Sequence, residues 1–506
     1  MHLGQNTVLL RVNLPKDLLG DGYYDESGKV AVASNPVTGA MDILSGEEAA
    51  ALEAIRSDGD WENYDPSLIH NLHERGYIFD QHSAEQIAYN HVVDQYNEGI
   101  RTAPFQFMFI PSFLCNLACP YCFEGDLTKA SPRMTKEMID SAFDMIPTLQ
   151  ELHDNEGQPY ITLFGGEPFL DIPAQREAVE YIMKNAYERN YPITAVTNGV
   201  QLDRYIPLLK KYEIREIQVS LDGPPEIHNQ RRIFRGGKPT FHLIEKNIDE
   251  AIAAGLRVLV RVLVDKQTLG SYPAFAEYAL QKGWLDHPRL SFFYGFTKHV
   301  GFLDVDPNHP AEHRHGHIDR DYTLDLLDDF YQMLRENPLV DRMLKPDPVR
   351  LRSPILEGDI VRPNLQGCSA GTSVLAFDPN GRIYGCPETV GRTHHAFGTY
   401  FPDFSYNRQY REPWRTRNVD SVPMCRDCNV KLFCGGGGCP IKAWAFNGGD
   451  FNSAYCPKVE SVKAQLTKGL EYMIPLAFKD DPYTTEKREE TEWDEMKKVG
   501  AFLWRS

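Results

Sequence analysis

Apolar residues recur in two rhythms along the middle of this chain, and the rhythms alternate. Short runs rich in aromatic and β-branched residues read as strands at 105–110, 160–164, 192–196, 216–220, 257–264 and 289–293. Between them lie stretches with helical periodicity, near 135–149, 174–189, 203–211, 241–254 and 272–282. Such alternation predicts parallel βα units. Six strands predict an α/β fold built on a partial (βα)6 TIM barrel, open on one side to a large substrate. The strands give way to glycine and polar residues: Gly165-Gly166-Glu167-Pro168, Thr197-Asn198-Gly199 and Leu221-Asp222-Gly223. In a barrel of this kind the loops at that end carry the chemistry.

The pattern changes on either side. Residues 7–12 and 29–34 read as strands, and Ser45-Gly46-Glu47-Glu48 is a capping box that opens a helix to about residue 57. A second helix from about 65 stops at Gly76, and 77–79 form a closing strand. This layout predicts a small winged-helix-like module over 1–82, followed by a linking helix within 83–104. The barrel then occupies 105–300, a connecting insertion 301–365, a cysteine-rich domain 366–460 and a charged helical tail 461–506. His299, His309, His313, His315 and His317 crowd the start of the insertion, but Pro307, Pro310 and Gly316 interrupt any helix there, which favours a solvated loop over a metal site.

At 506 residues the chain is too long for a single core, and 42% hydrophobic with 25% charged residues is ordinary globular composition. A formal net charge of −18 without a basic patch argues against nucleic acid as a partner. No apolar run reaches the roughly 18 residues that span a bilayer, and the first residues lack the pattern of a secretory signal. A cytoplasmic location is expected, with no membrane partner. Ten cysteines in such a chain point to metal or catalysis rather than disulfides.

Three cysteines follow the first barrel strand as Cys115-Asn116-Leu117-Ala118-Cys119-Pro120-Tyr121-Cys122. C-x2-C alone also suits zinc, but this run sits in a loop after a strand's C-terminal end. A C-x3-C-x2-C run offers three thiolates to a four-iron cluster and leaves one iron open. With Tyr121 before the last cysteine, it resembles the radical S-adenosylmethionine (SAM) enzymes. The resemblance implies SAM bound at the open iron and cleaved to a 5′-deoxyadenosyl radical that takes a hydrogen atom from the substrate. Gly165, Gly166 and Glu167 resemble the family's GGE motif, which holds the SAM amino group. Asn198 and Ser220 match positions that contact ribose or carboxylate, with Asp222 beside them. Arg232 offers a fork to the SAM carboxylate.

The other seven cysteines run Cys368, Cys386, Cys425, Cys428, Cys434, Cys439 and Cys456, with Gly381 and Cys386 forming a Gly-x4-Cys element and Gly435-Gly436-Gly437-Gly438 before Cys439. Their order resembles the SPASM domain, which holds two auxiliary four-iron clusters, although x4 stands between Cys434 and Cys439 where the family has x3. The resemblance implies Cys425, Cys428, Cys434 and Cys456 in one cluster, and Cys368, Cys386 and Cys439 in another, one cysteine short. With the first motif this makes three [4Fe-4S] clusters.

The N-terminal layout resembles the recognition module of enzymes that mature ribosomally made peptides (RiPPs), which binds a precursor's leader as an added strand. The implied function is hydrogen abstraction from a precursor peptide followed by an oxidative modification, an intramolecular thioether or carbon–carbon cross-link. A reducing partner such as flavodoxin or ferredoxin is implied as well. Two other readings stand beside it. One is an anaerobic sulfatase maturase, in which an aspartate follows the Gly-x4-Cys cysteine; here Pro387 and then Glu388 follow it. The other is a multi-cluster electron carrier, which has no use for an open iron. No residue is singled out as the general base.

Overall fold

Every second side chain of the barrel strands points outward into one apolar core, and the alternate ones line a polar inner face. The computed structural model describes residues 1–57, 61–129, 131–297, 324–347, 349–456 and 459–478. The histidine run 299–317 and the charged tail beyond 478 lie outside the described residues. Six parallel strands form the barrel sheet: β6 (Phe105–Phe109), β7 (Pro159–Leu163), β8 (Ile193–Thr197), β9 (Glu216–Ser220), β10 (Val258–Val264) and β11 (Leu290–Phe296). They match the expected partial barrel within a few residues. Helices α4 (Lys136–Leu152), α5 (Pro173–Glu188), α6 (Ile206–Lys211), α7 (Pro225–Arg231), α8 (Phe241–Ala253) and α9 (Tyr272–Gln281) connect them.

The alternation follows from the pleat. Phe107, Ile161, Ile217, Val219, Val258 and Val260 are fully buried against the helices. On the other face, Gln106 Nε2 donates to Thr162 Oγ1 at 2.8 Å, and Thr162 meets Thr194 at 2.8 Å. Register places Gln218 beside Val196, and Ser220 beside Arg261, on that same inner face. The barrel interior is therefore lined with groups that bind polar ligands, unlike the packed apolar layers of a closed barrel.

The sheet does not end at the sixth strand. β12 (Val374–Phe377) pairs parallel with the outer edge of β6, and β13 (Arg382–Tyr384), β14 (Ala396–Thr399) and β15 (Ser405–Tyr406) continue it antiparallel. The turn before β13 is the expected one: Gly381 has φ +80°, and a Cβ there would lie 2.3 Å from the Phe401 carbonyl oxygen. The cysteine-rich region is thus a direct extension of the barrel sheet. Phe377 seals the joint, stacked on Phe107 with centroids 6.0 Å apart and edge-on to Phe109 at 5.2 Å.

The N-terminal module holds a three-stranded antiparallel sheet of β2 (Val8–Val12), β3 (Val30–Asn35) and β4 (Ala40–Leu44), and a two-stranded one of β1 (His2–Leu3) and β5 (Ile78–Phe79). β4 is an addition to the strands read from the sequence. Helices α1 (Gly46–Arg56) and α2 (Pro66–Glu74) cover one sheet face, and α3 (His82–Thr102) leads to the barrel. The capping box is present: Ser45 accepts from Glu48 N, and Glu48 accepts from Ser45 N at 2.8 Å. Ala31 and Ala33 of β3 pack under α1 and α2, whereas Val30 and Val32, with Val8, Leu10 and Val12, join the main core. Helix Val459–Ala477 packs on β2, where Asn13 N and Nδ2 donate to Glu471 at 2.8 and 2.6 Å.

Because Phe377 is fully buried between two parts of the sheet, Phe377→Ala should destabilise the fold by about 3–5 kcal/mol through transfer and cavity terms. The urea unfolding midpoint followed by circular dichroism measures this. A shift below about 1 kcal/mol would mean that the joint is held by the strand ladder alone.

Candidate functional site

The loop after β6 carries Cys115, Cys119 and Cys122 at the C-terminal edge of the sheet, where the loops after β7, β8 and β9 converge on it. Glu167 N donates to the Leu114 carbonyl at 2.8 Å, so the Gly165–Gly166 turn lies against the cysteine loop. Gly165 and Gly166 have φ of +78° and +46°, and a Cβ on Gly166 would lie 2.3 Å from Leu114 O. Only glycine fits such an approach. From the far side, Leu117 bridges to Phe234, Ala118 N donates to Ile233 O at 2.9 Å, and Arg235 Nε donates to Cys115 O at 3.1 Å.

Glu167 is fully buried, and its carboxylate is taken up by three donors. Thr197 Oγ1 donates at 2.5 Å, Asn198 N at 2.6 Å and Phe169 N at 2.9 Å. Burial raises its pKa, and these hydrogen bonds oppose the rise. Glu167 thus ties the β7 loop to the β8 loop. Asn198 extends the tie to the cysteine loop, its Nδ2 donating to Asn116 Oδ1 at 2.8 Å.

Tyr121 joins the β9 loop. Its hydroxyl donates to Asp222 and accepts from Arg232 Nη1 at 2.8 Å, while the Arg231 guanidinium lies 4.9 Å over its ring. Burial pushes the Tyr121 hydroxyl well above its ordinary pKa, so it stays a donor to Asp222. Arg231 also pairs with Asp222 at 3.4 Å and with Asp265 at 2.7 Å. Arg232 is oriented by a neutral histidine relay. Asp222 N donates to His228 Nδ1 at 3.1 Å, His228 Nε2 meets Thr240 Oγ1 at 3.0 Å, and Thr240 donates to Arg232 O. Burial lowers the His228 pKa to about 3, and Arg232 adds to the drop, so the ring remains neutral.

Several of these groups carry no signature in the sequence. Arg231, adjacent to Arg232 in an Arg-Arg pair, is one. Arg261 is another, hidden in the apolar run of β10. Glu124 is a third: it is buried, accepts from Gly166 N at 2.7 Å, and burial pushes its pKa up to about 7. Asp222 Oδ1, Arg232 Nε, Asn116 Nδ2 and Glu124 Oε1 are all buried without a hydrogen-bond partner. Unpaired buried polar atoms are costly, and four around one loop mark a place built to receive a polar ligand.

The remaining cysteines fall into two groups. Cys368, Cys386 and Cys439 neighbour one another, as do Cys425, Cys428, Cys434 and Cys456, and all ten thiols of the chain are free of disulfides. Burial raises Cys386 well above the ordinary thiol value and pushes Cys434 up to about 11. Gly435, Gly436, Gly437 and Gly438 all have positive φ, from +65° to +78°, and a Cβ on each would lie within 2.9 Å of another atom. Arg417, 3% exposed, donates to Ser453 O at 2.9 Å and Gly437 O at 2.6 Å and places its charge near Cys425, Cys439 and Cys368.

Residues 109–279 match the radical SAM superfamily. The chain is similar to mycofactocin maturase MftC of Mycobacterium tuberculosis, 24% identical over 356 residues, covering 68% of this chain and 81% of that protein. Over residues 109–279 this is a radical SAM protein, and it is similar to the maturase MftC. It is also similar to a probable GTP 3′,8-cyclase of Methanococcus maripaludis, 29% identical over 230 residues, which span 45% of this chain and 66% of the cyclase. The fold resembles that of anSMEcpe, solved with bound AdoMet and the Cp18Cys peptide, at 20% identity and a TM-score of 0.52, covering 74% of this chain and 98% of that one. A radical SAM protein uses SAM and a [4Fe-4S] cluster. The residues here fit that pair. Cys115, Cys119 and Cys122 neighbour one another, and burial pushes Cys115 up to about 12, so a cationic iron group is what would hold them as thiolates. The unpaired polar atoms beside them suit a zwitterionic ligand. Among the described residues, no helix is long and apolar enough to cross a membrane.

Glu167→Gln keeps the shape of the tie but sets an amide against donors. It should cost about 1–3 kcal/mol of stability, read from the urea midpoint, and weaken SAM binding in equilibrium dialysis. Unchanged values for both would mean that the loops hold together without the carboxylate.

Proposed function

We propose that this protein is a radical SAM enzyme that oxidises a ribosomally made precursor peptide. SAM and its cluster, when bound, supply a 5′-deoxyadenosyl radical that takes one hydrogen atom from the peptide. Tyr121, Asn198, Ser220 and Arg232 orient SAM, and Gly165, Gly166 and Glu167 shape the loop that receives its amino group. Cys425, Cys428, Cys434 and Cys456 hold one auxiliary [4Fe-4S] cluster. Cys368, Cys386 and Cys439 hold another, with one iron free for a non-cysteine ligand. A cluster held by these cysteines would supply the oxidant for the electron left on the peptide as a proton leaves, so that a bond would close with net loss of two hydrogens. The product is an intramolecular cross-link, a thioether or a carbon–carbon bond.

The position of Arg261 carries this reading. Burial dominates its environment and lowers its pKa, but its charge also interacts with Asp222 and Tyr121 of the SAM-facing loops and with Glu388, two residues after Cys386. One barrel mouth is therefore shared by the first cysteine loop and the auxiliary region, and a substrate seated there reaches both. Arg392 Nη2, which donates to Phe123 O at 3.2 Å, adds a direct link between them. MftC is named a maturase and anSMEcpe was solved with a peptide bound, which accords with a peptide substrate.

The anaerobically reconstituted enzyme, co-expressed with a precursor peptide from its own gene neighbourhood, tests the reading. It should form 5′-deoxyadenosine and a product about 2 Da lighter per modification, the mass of the two hydrogens lost. A variant with Cys115, Cys119 and Cys122 all replaced by alanine should form neither and lose about one third of the iron. SAM cleavage by that variant, or a product of unchanged mass, would overturn it.

The module over 1–82 binds the leader of that peptide. β2 and β4 are the two edges of this sheet; among the described residues helix Val459–Ala477 packs on β2, and β4 has one strand partner, β3. An extended peptide can add to the β4 edge. Adding leader peptide should slow hydrogen–deuterium exchange across Ala40–Leu44, and a leaderless substrate should show kcat/KM at least about 10-fold lower with uncoupled SAM cleavage unchanged. Equal kcat/KM and no protection in β4 would remove the module from substrate binding.

A further inference from the structure

A second donor cluster lies away from the barrel mouth, at the seam between the N-terminal module and α3. His2 sits on β1, opposite Phe79 of β5, while His82 and Glu85 stand on the first turn of α3. Each offers one ligand atom, and the three atoms lie within 4.8 Å of one another. The two imidazoles approach to 3.7 Å between centroids at 38°. His2 Nε2 is buried and has no hydrogen-bond partner. Glu85 is only 5% exposed, and its Oε1 accepts from Asn6 N at 3.1 Å and Asn6 Nδ2 at 3.2 Å. These bonds fix the carboxylate and leave its second oxygen for another partner.

An apolar seam would have no reason to gather these groups. A buried ring nitrogen without a partner is unfavourable, and a second imidazole against it brings no compensating charge. Two imidazoles and a carboxylate are a donor set that suits zinc, with water as the fourth ligand. Asn6 then plays the outer part that steadies a ligating carboxylate.

We propose that His2, His82 and Glu85 bind a divalent zinc-class ion that pins β1 to the start of α3. Donors around tetrahedral zinc lie about 3.3–3.5 Å apart when each is about 2.0–2.1 Å from the metal. The spacing must close by up to about 1.4 Å, the scale of a χ adjustment, and His82 is exposed. The pinned helix leads directly into β6, so the ion stiffens the connection between module and barrel. It takes no part in SAM chemistry and does not depend on the function proposed above.

The test uses the full-length, cluster-loaded enzyme, exposed to zinc and freed of loose metal by gel filtration. Zinc and iron are then counted by mass spectrometry. Wild type should retain about one more zinc per chain than His82→Ala or Glu85→Gln, with iron unchanged. Affinity from competition with a chromophoric chelator should fall at least about 100-fold in these variants, since even outer-shell changes cost 10–100-fold. His82→Cys, which restores a zinc ligand, should recover binding. Zinc should raise the thermal midpoint of wild type and of His82→Cys but not of His82→Ala. Equal zinc content in wild type and His82→Ala, or a midpoint indifferent to zinc, would overturn the proposal.

Discussion

Strand β6 is hydrogen-bonded along both edges by parallel partners, β7 on one side and β12 on the other. The rest of the molecule depends on that double pairing. Phe105, Phe107 and Phe109 anchor the strand in the core, and the chain leaves its end straight into the first cysteine loop. The same strand therefore fixes the three thiols of that loop and, through β12, aligns the hairpin that presents Cys386. A central strand cannot slip register without turning its whole apolar face out of the core. Two cysteine regions more than two hundred residues apart in the chain are thereby held in one frame.

At the mouth of this frame, buried charges are organised in pairs and relays. Asp222 receives Tyr121 and Arg231, Arg231 also reaches Asp265, and Arg232 is aimed by the His228–Thr240 relay. Buried charges persist only when partnered. Four buried atoms without a partner, Asn116 Nδ2, Glu124 Oε1, Asp222 Oδ1 and Arg232 Nε, lie where the loops converge. Partnered charges around a few unpaired polar atoms are the arrangement expected of a preorganised ligand site.

The N-terminal module is bound into this architecture by its own sheet. β3 is buried on both faces, one toward α1 and α2 and the other toward the main core. Its sheet is therefore a shared wall, with β2 packed under helix Val459–Ala477 and β4 at the opposite edge. A ligand at the β4 edge would rest on a surface continuous with the barrel, which gives binding there a mechanical route to the catalytic half.

Local spacing made much of the site legible. The three-cysteine run, the Gly165–Gly166–Glu167 turn and the strand–helix alternation are short-range patterns, and short-range patterns survive in a linear chain. The capping box at Ser45 is legible for the same reason. β4 was not, because Asp42 breaks its apolar run, and β12 was not, because four apolar residues suit a helix as well as a strand. The sequence alone determined the barrel and the place of the first cysteine loop at its C-terminal edge. Tertiary structure alone decided that Arg231 and Arg261 face the site, that Glu167 is a tie between loops, that Glu124 lies under Gly166, and that His2 meets His82 and Glu85. Those facts depend on strand register and on packing between segments tens to hundreds of residues apart, and neither quantity is encoded in the spacing of neighbouring residues.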